Sequence, residues 1–193
     1  MISIAIPVYP QMKNGDALLK RCLDSIKSQS YQDYEIVITT SGSMAENTNK
    51  ALKASKGDLI KILYQDDYLA HSEALESIVE AFKGQWLVTG CIHDDGLSIQ
   101  RPHLPWYDPE ENHIGSPSVL TMRNGLDMYF DENLGWLLDL DLYKRLYAKY
   151  GEPDTLDDIN VVIGVGDHQA TNTMGDQVKI NEQIYLNEKY PRT

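Results

Sequence analysis

Apolar residues follow two alternating rhythms through the first half of the chain. Ile2 to Val8 is nearly continuous in apolar, largely β-branched residues, the pattern of a strand covered on both faces. From Asp16 the spacing changes, and Leu18, Leu19, Cys22, Leu23 and Ile26 recur on one face of a helix. Tyr34 to Thr39 returns to strand. Ser41-Gly42-Ser43 then makes a turn into a helix expected near Ala45 to Ser55, with Gly57 as its stop. Leu59 to Tyr64 is a third strand. Ser72 is placed to cap a helix whose apolar face holds Leu75, Ile78, Val79 and Phe82, and Trp86 to Cys91 is a fourth strand. The second half is less periodic. Residues 93–118 are rich in His, Pro, Asp and Gly and read as an extended loop region, Asp139 to Tyr150 reads as a helix, and the pattern from Leu156 onward leaves its structure open.

Strands alternating with helices imply parallel crossovers and a sheet covered on both faces. The expected class is therefore α/β, Rossmann-like, with a mostly parallel central sheet flanked by helices. No internal repeat or interdomain linker interrupts the 193 residues, so a single domain is expected over 1–193. In open sheets of this kind ligands bind beyond the carboxyl ends of the strands. Tyr9-Pro10, Thr40-Ser41 and Gln65-Asp66-Asp67 fall at those ends.

The formal net charge of -12 repels nucleic-acid backbones and anionic lipid, which argues against generic nucleic-acid binding. The same field favours a divalent cation wherever a phosphate-bearing ligand must enter. The opening MISIAIPVYP lacks a basic flank and a cleavage site, and no apolar run approaches the roughly 18 residues that cross a bilayer. With two cysteines, Cys22 and Cys91, the fold is not a disulfide scaffold, and a cytoplasmic protein is expected.

Asp66 and Asp67 directly follow the third strand. Adjacent carboxylates at a strand end can hold a hard divalent cation whose remaining oxygens come from a diphosphate. Read alone, the pair also fits a polar turn before a helix, with Asp67 or Ser72 as its cap. The residues around it narrow the choice. Ile4-Ala5-Ile6-Pro7-Val8-Tyr9, Leu23-Asp24-Ser25-Ile26, Gln29-Ser30-Tyr31, Tyr34-Glu35-Ile36-Val37, Asn49, Lys56-Gly57-Asp58 and Leu63-Tyr64-Gln65-Asp66-Asp67 occur in the order of family 2 glycosyltransferases. Over roughly the first 90 residues the chain resembles that family. The resemblance implies a GT-A fold, with a nucleotide-sugar-binding half over 1–95 and an acceptor-binding half over 96–193. It makes Asp66 and Asp67 the DxD-type motif for Mn2+ or Mg2+ and the donor diphosphate, and places Pro7, Tyr9, Asn49 and Gln65 on the donor side. Thr40 and Ser41 stand where the family usually has acids against the base, and their hydroxyls are implied there as donor-side contacts to a base edge.

Phe130-Asp131-Glu132-Asn133-Leu134, Trp136 and the run Leu138 to Leu146 resemble the family's acceptor region. That likeness puts the general base on Asp139, with Leu138 where Glu is frequent. A carboxylate at a helix N-terminus is held as the anion and suits a proton acceptor, although Asp139 as a cap and Asp141 as a solvated acid fit the same pattern. Ser116, in Ile114-Gly115-Ser116-Pro117-Ser118, and Trp136 are implied on the acceptor side. His168, in Gly164-Val165-Gly166-Asp167-His168-Gln169, is implied as a metal or phosphate contact, since late His residues serve GT-A enzymes in that way. The other histidines show no metal-ligand spacing.

The implied activity is inverting transfer of one sugar from a nucleotide-sugar donor to a glycan or other hydroxyl acceptor. No QxxRW segment of processive synthases is present. Thr40 and Ser41 for acids, Tyr64 for the first acid of the triplet and Pro10 for a frequent Asn are departures. They motivate one alternative, a catalytically silent nucleotide- or sugar-binding module on the same scaffold. A nucleotidyltransferase would need a glycine-rich basic loop after the first strand, and a dehydrogenase a GxGxxG there. Pro7-Val8-Tyr9-Pro10-Gln11 supplies neither.

Overall fold

The computed structural model describes residues 1–102, 112–167 and 169–191. In chain order the elements are β1 (Ile2–Pro7), α1 (Gly15–Lys27), β2 (Tyr34–Thr39), α2 (Met44–Ala54), β3 (Leu59–Ile62), β4 (Tyr68–Leu69), α3 (Ala74–Ala81) and β5 (Trp86–His93). There follow β6 (Ile99–Gln100), a 3₁₀ turn (Pro117–Val119), β7 (Leu120–Arg123), α4 (Leu138–Tyr150), β8 (Asp154–Ile163), α5 (Ala170–Thr173) and α6 (Asp176–Lys189). Among the described residues they build one eight-stranded sheet in the order β2-β1-β3-β7-β5-β8-β4, with β6 on β5. β1, β2, β3, β5 and β8 run in one direction, and β4, β6 and β7 oppose them.

The mostly parallel α/β class is therefore observed, but the simple succession of crossovers is not. β7 inserts antiparallel between β3 and β5, pairing Leu59 with Arg123 on one side and Trp86 with Met122 on the other. Its four residues fall in a stretch whose irregular composition hides them. β8 is ten residues long, and only its last four are buried. The acidic first half of that strand masks the apolar end that pairs with β5.

Local chemistry explains the element ends. Ser43 and Glu46 form a reciprocal capping box on α2: the Ser43 hydroxyl accepts from Glu46 N at 3.3 Å and the Glu46 carboxylate from Ser43 N at 2.7 Å. Two sequence expectations are corrected. α3 starts at Ala74 behind Glu73, and the Ser72 hydroxyl donates to the Glu73 carboxylate rather than capping the helix. α2 ends at Ala54, and Gly57 serves a different purpose, because a Cβ there would lie 2.7 Å from the backbone nitrogen of Ser3.

Trp86 and Tyr143 stack in the core with ring centroids 6.2 Å apart, joining β5 to α4. The Tyr143 hydroxyl reaches the carbonyl oxygens of Gly115 and Ser116, both at 3.2 Å, which fixes that loop on the sheet. Cys22 and Cys91 are buried free thiols. No helix among the described residues is long and apolar enough to cross a membrane.

α4 and α6 are tied through Asp141, which is fully buried rather than solvated. Its carboxylate accepts from Arg145 at 2.7 Å, from Lys189 at 2.7 Å and from the Tyr190 hydroxyl at 2.7 Å. Removing one member of a buried charged cluster leaves the others uncompensated. Asp141→Ala is therefore expected to cost about 3–5 kcal/mol, read as a lowered urea midpoint. An unchanged midpoint would mean that the cluster adds nothing to stability.

Candidate active site

A cleft of about 1090 Å³ opens beyond the carboxyl ends of β1, β3 and β8 and is closed by the start of α4. Its donor-side wall, as the sequence reading assigns it, includes Pro7, Tyr9, Gln65, Asp66 and Asp67, and its other wall Ser116, Trp136 and Asp139. These residues come from both halves of the chain.

The Asp66-Asp67 turn is held from two sides. Arg21 on α1 donates to the Asp66 carbonyl oxygen at 2.6 Å, pairs with Asp94 at 3.1 Å and lies over the Tyr68 ring. Just past β8, Gly164 packs directly on the turn: a Cβ there would sit 2.3 Å from the Asp66 carbonyl oxygen, so only glycine fits without displacing backbone. The Gly164 N–H donates to Asp67 Oδ1 at 2.8 Å. Asp67 is buried, whereas Asp66 is half-buried. Burial and the charge of Asp66 push the Asp67 carboxyl well above the usual carboxylate range, against hydrogen bonds from Ser118 and Gly164 and the charge of Lys61. Lys61 lies fully buried beneath the turn, donating to the Ser118 carbonyl, and burial lowers its pKa to about 7.

Gln65 links this turn to β1. Its Oε1 accepts from Tyr9 N, and its Nε2 is buried with no hydrogen-bond partner among the described residues. Gly15 makes the space for that amide, since a Cβ there would come within 2.9 Å of Nε2. An orphaned donor at a cleft wall is costly in the empty protein and available to an acceptor on a ligand.

Asp139 is half-buried in the first turn of α4. Its Oδ1 accepts from Leu140 N and its Oδ2 from Asn112 Nδ2, both at 2.7 Å. Burial raises its pKa to about 7, and the charge of Glu182 adds to the rise, while the Leu140 and Asn112 hydrogen bonds oppose it. The Asn112 amide also closes its own turn, accepting from Ile114 N and Gly115 N and donating to the Gly115 carbonyl. The Ser116 hydroxyl accepts from Ser118 N, capping the 3₁₀ turn, and Trp136 carries the Lys179 ammonium 5.6 Å from its ring centroid.

Three expected donor-side residues do not reach the cleft wall. Thr40 and Ser41 are exposed beyond β2, where Lys50 donates to the Ser41 carbonyl at 3.0 Å and to its hydroxyl at 3.1 Å. Asn49 is buried, and its amide is spent on the Phe130 backbone, donating at 2.9 Å and accepting at 2.8 Å. It joins α2 to the loop before α4, a structural bond across 81 residues. His168 lies outside the described residues, although its neighbours Gly166, Asp167 and Gln169 line the cleft. Sequence reasoning missed Asn112, Gly164 and Arg21. Asn112 sits in an irregular stretch, and the packing that demands glycine at 164 is visible only in three dimensions.

Asp66 and Asp67 both line the cleft and are the residues that could offer carboxylate oxygens to a divalent ion. Among the described residues no group of three or more His, Cys, Asp or Glu side chains could hold a metal unaided. The pair fits a hard cation that completes its shell with phosphate oxygens, the manner in which Mg2+ is commonly held.

Residues 3–97 match glycosyl transferase family 2. An uncharacterized glycosyltransferase of Rickettsia prowazekii is 35% identical over 95 residues, which are 49% of this chain and 27% of that protein. The chain thus spans well under two thirds of that relative. TarS of S. aureus in complex with UDP-GlcNAc has a similar fold, with a TM-score of 0.72 at 17% identity over 90% of this chain and 61% of that one. The mannosyltransferase PcManGT of Pyrobaculum calidifontis, in complex with GDP-Man and Mn2+, gives a TM-score of 0.61 at 15% identity over 86% and 57%. The first half of the chain is thus similar to glycosyl transferase family 2, and a GT-A sheet like that of TarS and PcManGT is carried through both halves.

Proposed function

We propose that the protein is an inverting, divalent-metal-dependent glycosyltransferase that moves one sugar from a nucleotide-sugar donor to a hydroxyl acceptor, a glycan or a smaller alcohol. One observation carries the reading. Asp66 and Asp139, seventy-odd residues apart in sequence, line the same cleft. The fold's likeness to proteins in complex with UDP-GlcNAc or with GDP-Man and Mn2+ supports a nucleotide sugar and a metal.

Asp66 would hold the cation, with Asp67 as a second candidate whose Oδ1 is shared with Gly164. When bound, the metal supplies Lewis-acid stabilisation of the departing diphosphate. The remaining work falls to this chain's own side chains. The Gln65 amide offers its free N–H to an oxygen of the donor. Asp139 takes the acceptor's proton on a carboxylate oxygen as the hydroxyl attacks the anomeric carbon, and a single displacement inverts that centre. Asn112 holds Oδ2 in place. A base with a pKa near neutrality combines a usable fraction of anion with useful proton affinity.

Asp139→Asn should lower turnover about 10²–10⁴-fold while leaving Mn2+-dependent nucleotide binding at the parent affinity. Transfer at the parent rate would show that another group takes the proton. For the parent enzyme, the base must be ionised, so kcat/KM should rise with pH and level off above a limb near pH 7. A limb at ordinary carboxylate pH would contradict the assignment. Asp66→Ala should abolish the stabilisation that Mn2+ adds to nucleotide binding in a thermal-shift screen of UDP- and GDP-sugars. Equal shifts with and without metal in both proteins would remove Asp66 as the ligand. Binding without release of any sugar, to water or acceptor, would favour the silent-module reading.

A further inference from the structure

The turn that carries Asp139 has no cap of its own. α4 opens behind Leu137, and no side chain at that N-cap position bonds the helix end. The leading N–H groups of a helix need acceptors when they are buried. The N–H groups of residues 135–137, which lead into α4, find theirs 45 to 47 residues away, in the C-terminal helix. Glu182 on α6 accepts from Gly135 N through Oε1 at 2.8 Å, and from Trp136 N and Leu137 N through Oε2 at 2.8 and 2.9 Å. Its residue exposure is 7%.

The structure buries this second carboxylate close enough to Asp139 for its charge to add to the rise in the Asp139 pKa. Among the described residues, Asn112 from the loop, Tyr64 after β3, Tyr143 on α4 and Glu182 on α6 interact with Asp139. Burial pushes both tyrosine phenols well above their ordinary value, so they stay neutral. Glu182 is the charged member of this set.

We propose that Glu182 is a positioning residue: by clasping the 135–137 backbone, it fixes where Asp139 stands in the cleft and ties that placement to the docking of α6. The inference rests on the reading of Asp139 as the proton acceptor. Asp131 and Asp141 reinforce the same docking, since Lys189 reaches both at 2.6 and 2.7 Å and Tyr185 donates to Asp131 at 2.8 Å.

Glu182→Gln keeps the size of the side chain, removes its charge and turns one of its acceptors into a donor. In the nucleotide-free protein, amide hydrogen exchange at Gly135, Trp136 and Leu137 should quicken about tenfold or more. The Asp139 carboxyl, followed by carbon-13 NMR, should titrate at lower pH once the neighbouring charge is gone. With the nucleotide sugar that gives the largest thermal shift, kcat should fall about 10- to 100-fold while Mn2+-dependent UDP binding stays at the parent level. In an Asp139→Asn background the same change should alter the rate less than about twofold, because its effect runs through Asp139. Unchanged exchange and titration, additive losses in the double variant, or loss of UDP binding along with turnover would each overturn the proposal. An Asp139→Asn variant working at the parent rate would instead sink the base assignment beneath it. Inactive Asp139→Asn beside fully active Glu182→Gln would sink the positioning role alone.

Discussion

A carboxylate taken out of water must find donors within the protein or surrender its charge. That constraint acts on four acids in and behind the cleft walls, Asp67, Asp139, Asp141 and Glu182. Asp141 is met by Arg145, Lys189 and the Tyr190 hydroxyl, a strongly cationic arrangement suited to holding two helices together. Glu182 is met by three backbone N–H groups. Asp67 is met by Gly164 and Ser118, with Lys61 below. Asp139 is met by the neutral donors Leu140 N and Asn112. The consequence differs with the donors. At Asp139 burial outweighs two neutral hydrogen bonds, so its carboxyl exchanges a proton near neutrality instead of resting as a permanent anion.

The donors that satisfy these acids also join distant parts of the chain. Gly164 reaches back 97 residues to Asp67, and Glu182 reaches back 45 to Leu137. The family match ends at residue 97, and what lies before it supplies β1, β3 and the Asp66-Asp67 turn. The opposite wall is made by residues beyond the match. The first wall depends on the second half of the chain, since its turn is pinned by Gly164 just after β8, whereas the start of α4 is pinned from within that half by Glu182 of α6.

What the sequence disclosed follows the same division. β1, β3 and α1 were legible because each buries a continuous or regularly spaced apolar face, and β2, an edge strand with no fully buried residue, was legible from its β-rich run between polar turns. The Asp66-Asp67 pair was legible because it follows its strand directly. β7 and α6 were not. β7 is short and lies in polar surroundings, and α6 leaves Val178, Ile180 and Ile184 exposed, so its apolar positions give no consistent buried face. Asn49 misled for a physical reason: an asparagine on a helix facing a strand end suits a ligand and a loop equally well, and here the Phe130 backbone takes it. Nothing in local spacing connects Glu182 to Gly135.

The charge of the cleft bears on what can enter it. Among the described wall residues Lys13 is the basic side chain, set against Asp66, Asp67, Asp139 and Asp167. Arg21, close behind the turn, has its guanidinium engaged with the Asp66 carbonyl and Asp94. A diphosphate meeting this wall gains little from fixed cations and is opposed by the field of a chain at -12. On the glycosyltransferase reading, the cation therefore does more than stabilise a leaving group. It would supply the positive charge that lets donor and carboxylates share one cleft, which would make metal binding and donor binding a single coupled event.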